Sequence, residues 1–289
     1  MSDAVLSSAG NRRGILYLAA AIFAFTAMDA LAKHLVGIYP TAQVVWARNA
    51  GQLIFVVLYL RKRLSEAIVT RMPGWHLARS ISQLGATSLF FVSLNYMGLA
   101  EATALADINP VLITLGAALF LGERLGRTRI IGVALAALGA LIVIRPGLGV
   151  FTLAAILPLL CAVSYAANML LTRHVGQRES PWAAMFYAAL FGAIVTSALL
   201  PFNFRPIPLG DLGLFALLAL LGSIAQLSTI RAYSLTEAAA LAPFGYLDMV
   251  FATLWSITVF GAWPDSPTLI GALVIALAGL YVWRSETRS

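Results

Sequence analysis

The chain has 289 residues and a formal net charge of +7; 61% of it is hydrophobic and 11% charged, where a soluble domain carries about 25% charged residues. A soluble fold of this size has no interior large enough to hide that much apolar surface, so lipid is the solvent that suits it. The basic residues fall in short clusters between apolar runs, the pattern of cytoplasmic loops and not of a nucleic-acid-binding face, and with Cys161 the lone cysteine no intrachain disulfide forms.

Arg12 and Arg13 precede an apolar stretch from Gly14 to Val36. It is too long for a signal-peptide core and continues through Asp29 and Lys33 without a clear cleavage site, so it reads as an uncleaved first span. A spanning helix needs about 20 mostly apolar residues. Ten segments qualify: 14–36, 41–60, 76–97, 102–121, 129–146, 152–174, 181–201, 211–233, 237–260 and 267–284. Their joints are short and carry turn or charge signals, as at Gly37–Pro40, Arg145-Pro146-Gly147 and Trp263–Pro267. The predicted organisation is a cytoplasmic tail (1–13), a first five-helix unit (14–147), a second (152–284) and a cytoplasmic tail (285–289).

Arginine and lysine placement sets the orientation. With the N-terminus inside, the cytoplasmic side holds Arg12, Arg13, Arg61, Lys62, Arg63, Arg71, Arg124, Arg127, Arg129, Arg173, Arg178, Arg231, Arg284 and Arg288, which is fourteen of the 19 basic residues. Lys33, Arg145 and Arg205 fall outside, and Arg48 and Arg79 within spans. Both termini are therefore expected in the cytoplasm of a bacterial cell, with the chain crossing the inner membrane repeatedly.

The chain also repeats itself. AEATALA at 100–106 matches TEAAALA at 236–242, Ile131-Gly132 matches Ile270-Gly271, and Lys33-His34-Leu35-Val36-Gly37 matches Arg173-His174-Val175-Gly176. A unit of five spans is odd, so its second copy enters the membrane upside down. Inverted repeats mark secondary transporters, whose substrate site lies at the repeat interface near the midplane. The expected fold is an all-α integral membrane protein with ten transmembrane helices, two inverted five-helix repeats around a central cavity.

Residues 104–147 carry a proline within the fourth span (Pro110), Gly122-Glu123 at its end, and a small-residue helix with Gly132 and Gly139. This stretch resembles the C-terminal part of an EamA repeat of the drug/metabolite transporter superfamily, and the resemblance extends over almost the whole chain as two such units. The second unit departs from the pattern, with Gly261-Ala262-Trp263 where Gly-Glu is usual. The resemblance implies ten spans and a central cavity that alternates between the two sides. The exporters of aromatic and other neutral amino acids are similar in length and layout, and so are the riboflavin carriers.

Ionisable and polar residues inside spans are costly, which makes each a candidate for function. Asp29 and Lys33 are four apart on one face. They form an ion pair near the interface, or Asp29 faces the cavity and attracts a substrate ammonium. Trp46 on the second span is an interfacial anchor or a cavity aromatic. Arg48 needs a partner at its depth; Asp107 is the expected one, and a substrate carboxylate the alternative. Gln83 shares a face with Thr87 and Phe90, and Asn168 a face with Ser164 and Thr172 beside Tyr165. Tyr187, Ser223 and Gln226 complete a wall of amides and aromatic rings. Such groups are interhelical glue, or they suit a neutral or zwitterionic substrate with an apolar part. Asp248 lies about 16 Å into the ninth span by helical rise, beside Tyr246, and is either the proton- or charge-coupling site, together with Arg48 and Asp107, or a structural acid.

Glu101 and Glu237 start matching spans, where they favour the helix N-terminus. Pro110, Pro158 and Pro243 permit bends within spans. Gly132, Gly139, Gly271 and Gly279 favour close helix contact, within one chain or between subunits. No nucleotide-binding loop, metal-binding HExxH or serine-nucleophile pattern is present, and His34, His76 and His174 are too scattered for a metal cluster. The expectation is a carrier and no enzyme, without cofactor or metal, that exports amino acids, chiefly neutral and aromatic ones. Its partners are the small-molecule substrate and the lipid bilayer, not nucleic acid, with monomer and homodimer both open.

Overall fold

Alanine is the commonest residue of the interior, and many leucines and isoleucines face outward. Ala21, Ala32, Ala162, Ala183, Ala225, Ala252 and Ala278 are fully buried, while Ile54, Leu58, Leu138, Ile194 and Leu277 point outward. Where lipid surrounds a bundle, large apolar side chains gain nothing by going inside, and small ones let helices approach. The computed structural model describes residues 2–61, 64–109, 111–113, 115–116, 127–144, 153–176, 179–202, 204–235 and 241–286.

Ten helices of eight residues or more occur among the described residues, with no strand: α1 (Ser2–Val36), α2 (Thr41–Leu60), α3 (Pro73–Ser93), α4 (Leu99–Ala106), α5 (Arg127–Ile144), α6 (Ile156–Gly176), α7 (Pro181–Leu199), α8 (Leu212–Leu235), α9 (Leu247–Phe260) and α10 (Ser266–Glu286). A single helical turn, Leu64–Ala67, sits between α2 and α3. Three stretches are long and apolar enough to cross a membrane by themselves: Arg12–Val36, Pro181–Phe202 and Leu212–Ala232. The helices α2 and α3 carry Gln43, Arg48, Asn49, Gln52, His76 and Arg79 as buried polar side chains, which lowers their apolar character without exposing it to lipid.

Two spans differ from the straight helices expected. In place of one helix over 102–121, α4 stops at Ala106 and a turn follows at Asp107 and Ile108. The sequence accounts for this: a proline at 110 has no N–H to give the Ala106 carbonyl, and the Asn109 side chain donates to that carbonyl instead, at 3.1 Å. In place of one helix over 237–260, a 3₁₀ segment at Ala242–Tyr246 precedes α9. Elsewhere α1 begins at Ser2 where 14 was expected, since nothing between 2 and 13 breaks the helix, and α3 begins at Pro73, a favoured first-turn residue. Pro110, Gly122, Glu123 and Glu237 lie outside the described residues.

The most extensive interhelix contacts join the two halves of the chain: α1 with α8, α5 with α10, α3 with α6, and α2 with α7. Adding or subtracting five from each helix number exchanges the α1/α8 and α3/α6 pairs and maps α2/α7, α4/α9 and α5/α10 onto themselves. The α5/α10 crossing is made by glycine within the chain. A Cβ at Gly139 would stand 2.8 Å from the Gly271 carbonyl oxygen, and one at Gly271 would stand 2.6 Å from that of Gly139.

Candidate functional site

Four helices bring charged side chains into the interior. On α1, Asp29 follows Thr26 by one turn. The Thr26 hydroxyl donates to the Ile22 carbonyl at 3.0 Å and accepts from Trp255 Nε1 of α9 at 3.2 Å, which fixes this part of α1 against α9. On α2, Arg48 is 7% exposed. Its Nη1 donates to Thr87 Oγ1 of α3 at 3.1 Å, and its buried Nε has no hydrogen-bond partner among the described residues. Glycine at 222 lets α8 come this close: a Cβ there would stand 2.9 Å from Met28 Sδ and 3.9 Å from Arg48 Nε.

The interrupted spans supply the rest. Asp107 follows the last residue of α4, and its buried Oδ2 has no hydrogen-bond partner among the described residues. Asp248 is the second residue of α9. These groups are near enough for their charges to act on one another: Asp29 feels Asp248 and Arg48, and Asp107 feels Asp248. The Tyr246 hydroxyl feels Asp107, and Tyr246 lies against Gly279, where a side chain would overlap its ring. Cys161 of α6 feels both Asp29 and Asp107. Three carboxylates and one guanidinium, drawn from both halves of the chain, thus share one interior region.

Two pairings expected from the sequence are replaced. Lys33 donates to the carbonyls of Leu94 and Met97, at 3.3 and 2.8 Å, in place of pairing with Asp29. The helix α3 ends at Ser93 and leaves those oxygens without helical donors, and they outcompete a neighbour on Lys33's own helix. Arg48 turns to Thr87 and Asp29, while Asp107 lies by Asp248.

Several candidates lie elsewhere. Asn168 donates Nδ2 to the Arg79 carbonyl at 2.9 Å. Arg79 donates Nε to Thr172 Oγ1 and Nη1 to the Ala184 carbonyl, both at 2.7 Å, so that one guanidinium joins α3, α6 and α7. In the sequence Arg79 stands out only as a basic residue within a span, and that depth is the signal that a partner set must exist. Tyr165 lies within range of the Arg79 charge and is 36% exposed. Tyr187 donates to the Ile68 carbonyl at 2.9 Å. Trp46 donates Nε1 to Ser197 Oγ at 2.9 Å, and Phe90 packs with it against the core around α1 and α2. Gln83 and Gln226 are half-buried on α3 and α8, and among the described residues no hydrogen bond joins either to the three carboxylates. A groove of about 210 Å³ between α2 and α8, lined by Gly51, Ile54, Phe55, Ala219 and Ser223, holds none of the charged candidates; of the polar wall only Ser223 reaches it.

The pattern of the EamA-like transporter family matches residues 12–145 and 152–284. The chain is 28% identical over 279 residues to the pseudopaline exporter CntI of Pseudomonas aeruginosa, covering 95% of this chain and 97% of that protein. It is 29% identical to a riboflavin transporter of Rhizobium johnstonii, covering 95% and 92%, and 25% identical to an S-adenosylmethionine uptake transporter of Rickettsia bellii, covering 96% and 95%. A solved crystal structure matches over 97% of this chain and 98% of its own, with a TM-score of 0.68 at 17% identity, and shares the fold.

Proposed function

Because the chain belongs to the EamA-like transporter family, we propose that it is a secondary carrier for amino acids or solutes bearing an amino-acid head group. The observation that carries this reading is the chain of charges that links Asp107 to Asp248, Asp248 to Asp29 and Asp29 to Arg48 in one interior region. A site with three acids and one base calls for a cation; Arg48 offers a bidentate fork to a carboxylate. A solute with both an ammonium and a carboxylate answers both needs. S-adenosylmethionine, the solute named for one relative, carries such a head group.

In this reading the two five-helix units are inverted copies, and the exchange symmetry of the helix contacts supports it. The basic loops place both termini in the cytoplasm of a bacterial inner membrane, and the amino acid leaves the cell by alternating access between the two faces. Asp107 and Asp248 take up a proton or the substrate ammonium and so couple charge to movement. The remaining aromatic groups near this region, Tyr246 above all, support a second reading as a riboflavin carrier, which the 29%-identical relative also favours.

One experiment separates these. Purified protein in liposomes is assayed for counterflow of labelled phenylalanine, with other amino acids, S-adenosylmethionine and riboflavin as competitors. Saturable phenylalanine flux, inhibited far more strongly by amino acids than by their N-acetyl or ester forms, is expected. Saturable riboflavin flux with no amino-acid transport would overturn the first reading in favour of the second.

A further inference from the structure

The two ends of the bundle are fastened by side chains from opposite halves of the chain. At one end the loop after α1 and the first turn of α2 meet the loop before α8. Tyr39 donates its hydroxyl to Asp211. Gln43 donates Nε2 to the Arg205 carbonyl at 2.8 Å and accepts the Arg205 N–H at 3.0 Å. The Arg205 guanidinium donates to the Ile38 carbonyl and lies 5.8 Å from the Tyr39 ring centre.

At the opposite end the segment before α3 meets the loop between α6 and α7. Glu179 accepts from the Thr70 hydroxyl at 2.8 Å and the Arg71 N–H at 2.6 Å, and lies 2.8 Å from His76 Nε2. The two fastenings are counterparts. Tyr39 and Glu179 are 140 residues apart (179 − 39), as are Arg71 and Asp211 (211 − 71), the offset of the Lys33 and Arg173 match and within four of the other repeat landmarks. Each fastening also closes one end of an extensively packed pair: α1/α8 at the first, α3/α6 at the second.

A contact that gates a pathway must open in every cycle, and the members of both fastenings are poorly suited to repeated opening. Gln43 is 0% exposed, and the His76 and Glu179 side chains are 2% and 5% exposed. Opening would strip the partners from a buried amide and a buried carboxylate.

We infer that the Gln43–Arg205 and Glu179–Arg71 fastenings are permanent straps: each holds a helix pair as one rigid body, and the α1/α8 body moves against the α3/α6 body with both straps closed. This inference rests on the carrier reading for its movement and on the hydrogen bonds alone for its straps. Two measurements keep those apart. In the first, Gln43→Cys with Arg205→Cys, and separately Arg71→Cys with Glu179→Cys, are joined in liposomes by a short bifunctional thiosulfonate. Cross-link formation is verified by mass spectrometry against single-cysteine controls that retain Cys161. Cross-linked protein should transport within about twofold of the same protein after reduction, since a permanent strap needs no opening. A loss of roughly tenfold or more, restored by reductant, would mean that the contact is a gate and would overturn the inference.

The second measurement needs no solute. The Arg71 and Arg205 amides are the strap donors, and their hydrogen exchange should be as slow as that of the α3 and α8 helix interiors. Exchange at the rate of free loop amides would overturn the straps, whatever the carrier moves. Absence of flux in uncross-linked protein, with slow exchange retained, would overturn the carrier reading and leave the straps standing.

Discussion

Asp107 and Asp248 reach the same interior region from opposite halves of the chain, one just past the end of α4 and the other in the first turn of α9, within range of each other's charge. Both spans are interrupted beside these acids. At α9 the 3₁₀ segment runs directly into the helix, and the Leu247 N–H donates to the Phe244 carbonyl. Such broken helices are where carriers hold ions and substrates. Two acids from two repeats at one place form a single unit, and that has consequences for their variants.

Asp107→Asn and Asp248→Asn should each abolish the pH dependence of flux in liposomes. The double variant should be no worse than the poorer single one, because groups that act together are not additive. Independent, multiplying losses would assign the two acids separate roles, and an unchanged pH profile in Asp248→Asn would return it to structure.

Arg48→Lys keeps the charge and removes the planar fork. The KM for amino acids should rise by about tenfold, equivalent to roughly 1.4 kcal/mol, while the corresponding amino-acid esters, which lack the carboxylate, should be unaffected. Thr87→Val is the complementary change. It leaves Arg48 Nη1 without its 3.1 Å acceptor and should cost about 1–3 kcal/mol of stability, read as a lower melting temperature in detergent. Equal loss of both solutes in Arg48→Lys would place the arginine away from the substrate.

Much of this site was legible in the sequence, and the missing parts share a physical cause. Asp29, Arg48, Asp107 and Asp248 stand out because a charge within an apolar run needs a reason. Their mutual arrangement does not, because hydropathy gives depth along a helix and not the rotation that decides which neighbour a side chain meets. Arg48 is therefore found beside Thr87 and Asp29 and not paired with Asp107, and Asn168 is found on the Arg79 carbonyl. The number of helices follows from apolar length and the limits of α2 match 41–60, while three stretches among the described residues are apolar and long enough to cross a membrane by themselves. The interruption after Ala106 was signalled by Asn109 and the proline that follows it. The straps had no such signal, since Tyr39, Gln43, Glu179 and Asp211 all look like ordinary residues at span ends.

The Glu179 strap makes stability depend on pH with a definite sign. Burial works to raise the Glu179 pKa, but hydrogen bonds from Thr70, His76 and the Arg71 N–H outweigh it and hold the group below its ordinary value of 4.5. A carboxyl depressed in the folded state contributes stability above the unfolded value, and that contribution is lost as pH falls from about 4.5 through the folded pKa. At the other strap, the hydrogen bond to Asp211 raises the Tyr39 pKa above 10.0, so its contribution is present below 10 and lost as pH rises through the folded value. Melting temperatures in detergent should therefore fall at both extremes. Glu179→Gln should flatten the acid limb and leave the alkaline one; Tyr39→Phe should do the reverse. An acid limb unchanged in Glu179→Gln would assign it to other carboxyls.

The α5/α10 crossing gives a prediction independent of any solute. At Gly139 an added methyl would meet the Gly271 carbonyl oxygen and Ile275 Cγ1, at 2.8 and 2.7 Å; at Gly271 it would meet the Gly139 carbonyl oxygen and Val143 Cγ2, at 2.6 and 2.5 Å. A side-chain tip moves aside at small cost, but a backbone oxygen moves only with its helix, so α5 and α10 must separate. Overpacking of this kind costs about 1–3 kcal/mol. Gly139→Ala and Gly271→Ala should each lower the melting temperature. Combined, they should lower it by less than the sum, because one displacement of α10 relieves both clashes. Gly74, near the start of α3, is the control: nothing lies within 4 Å of a Cβ there, and alanine at that helical position should stabilise slightly by restricting the unfolded chain. Equal effects at positions 74, 139 and 271 would mean that glycine acts at the crossing through helix propensity alone, and that the two helices do not depend on backbone contact.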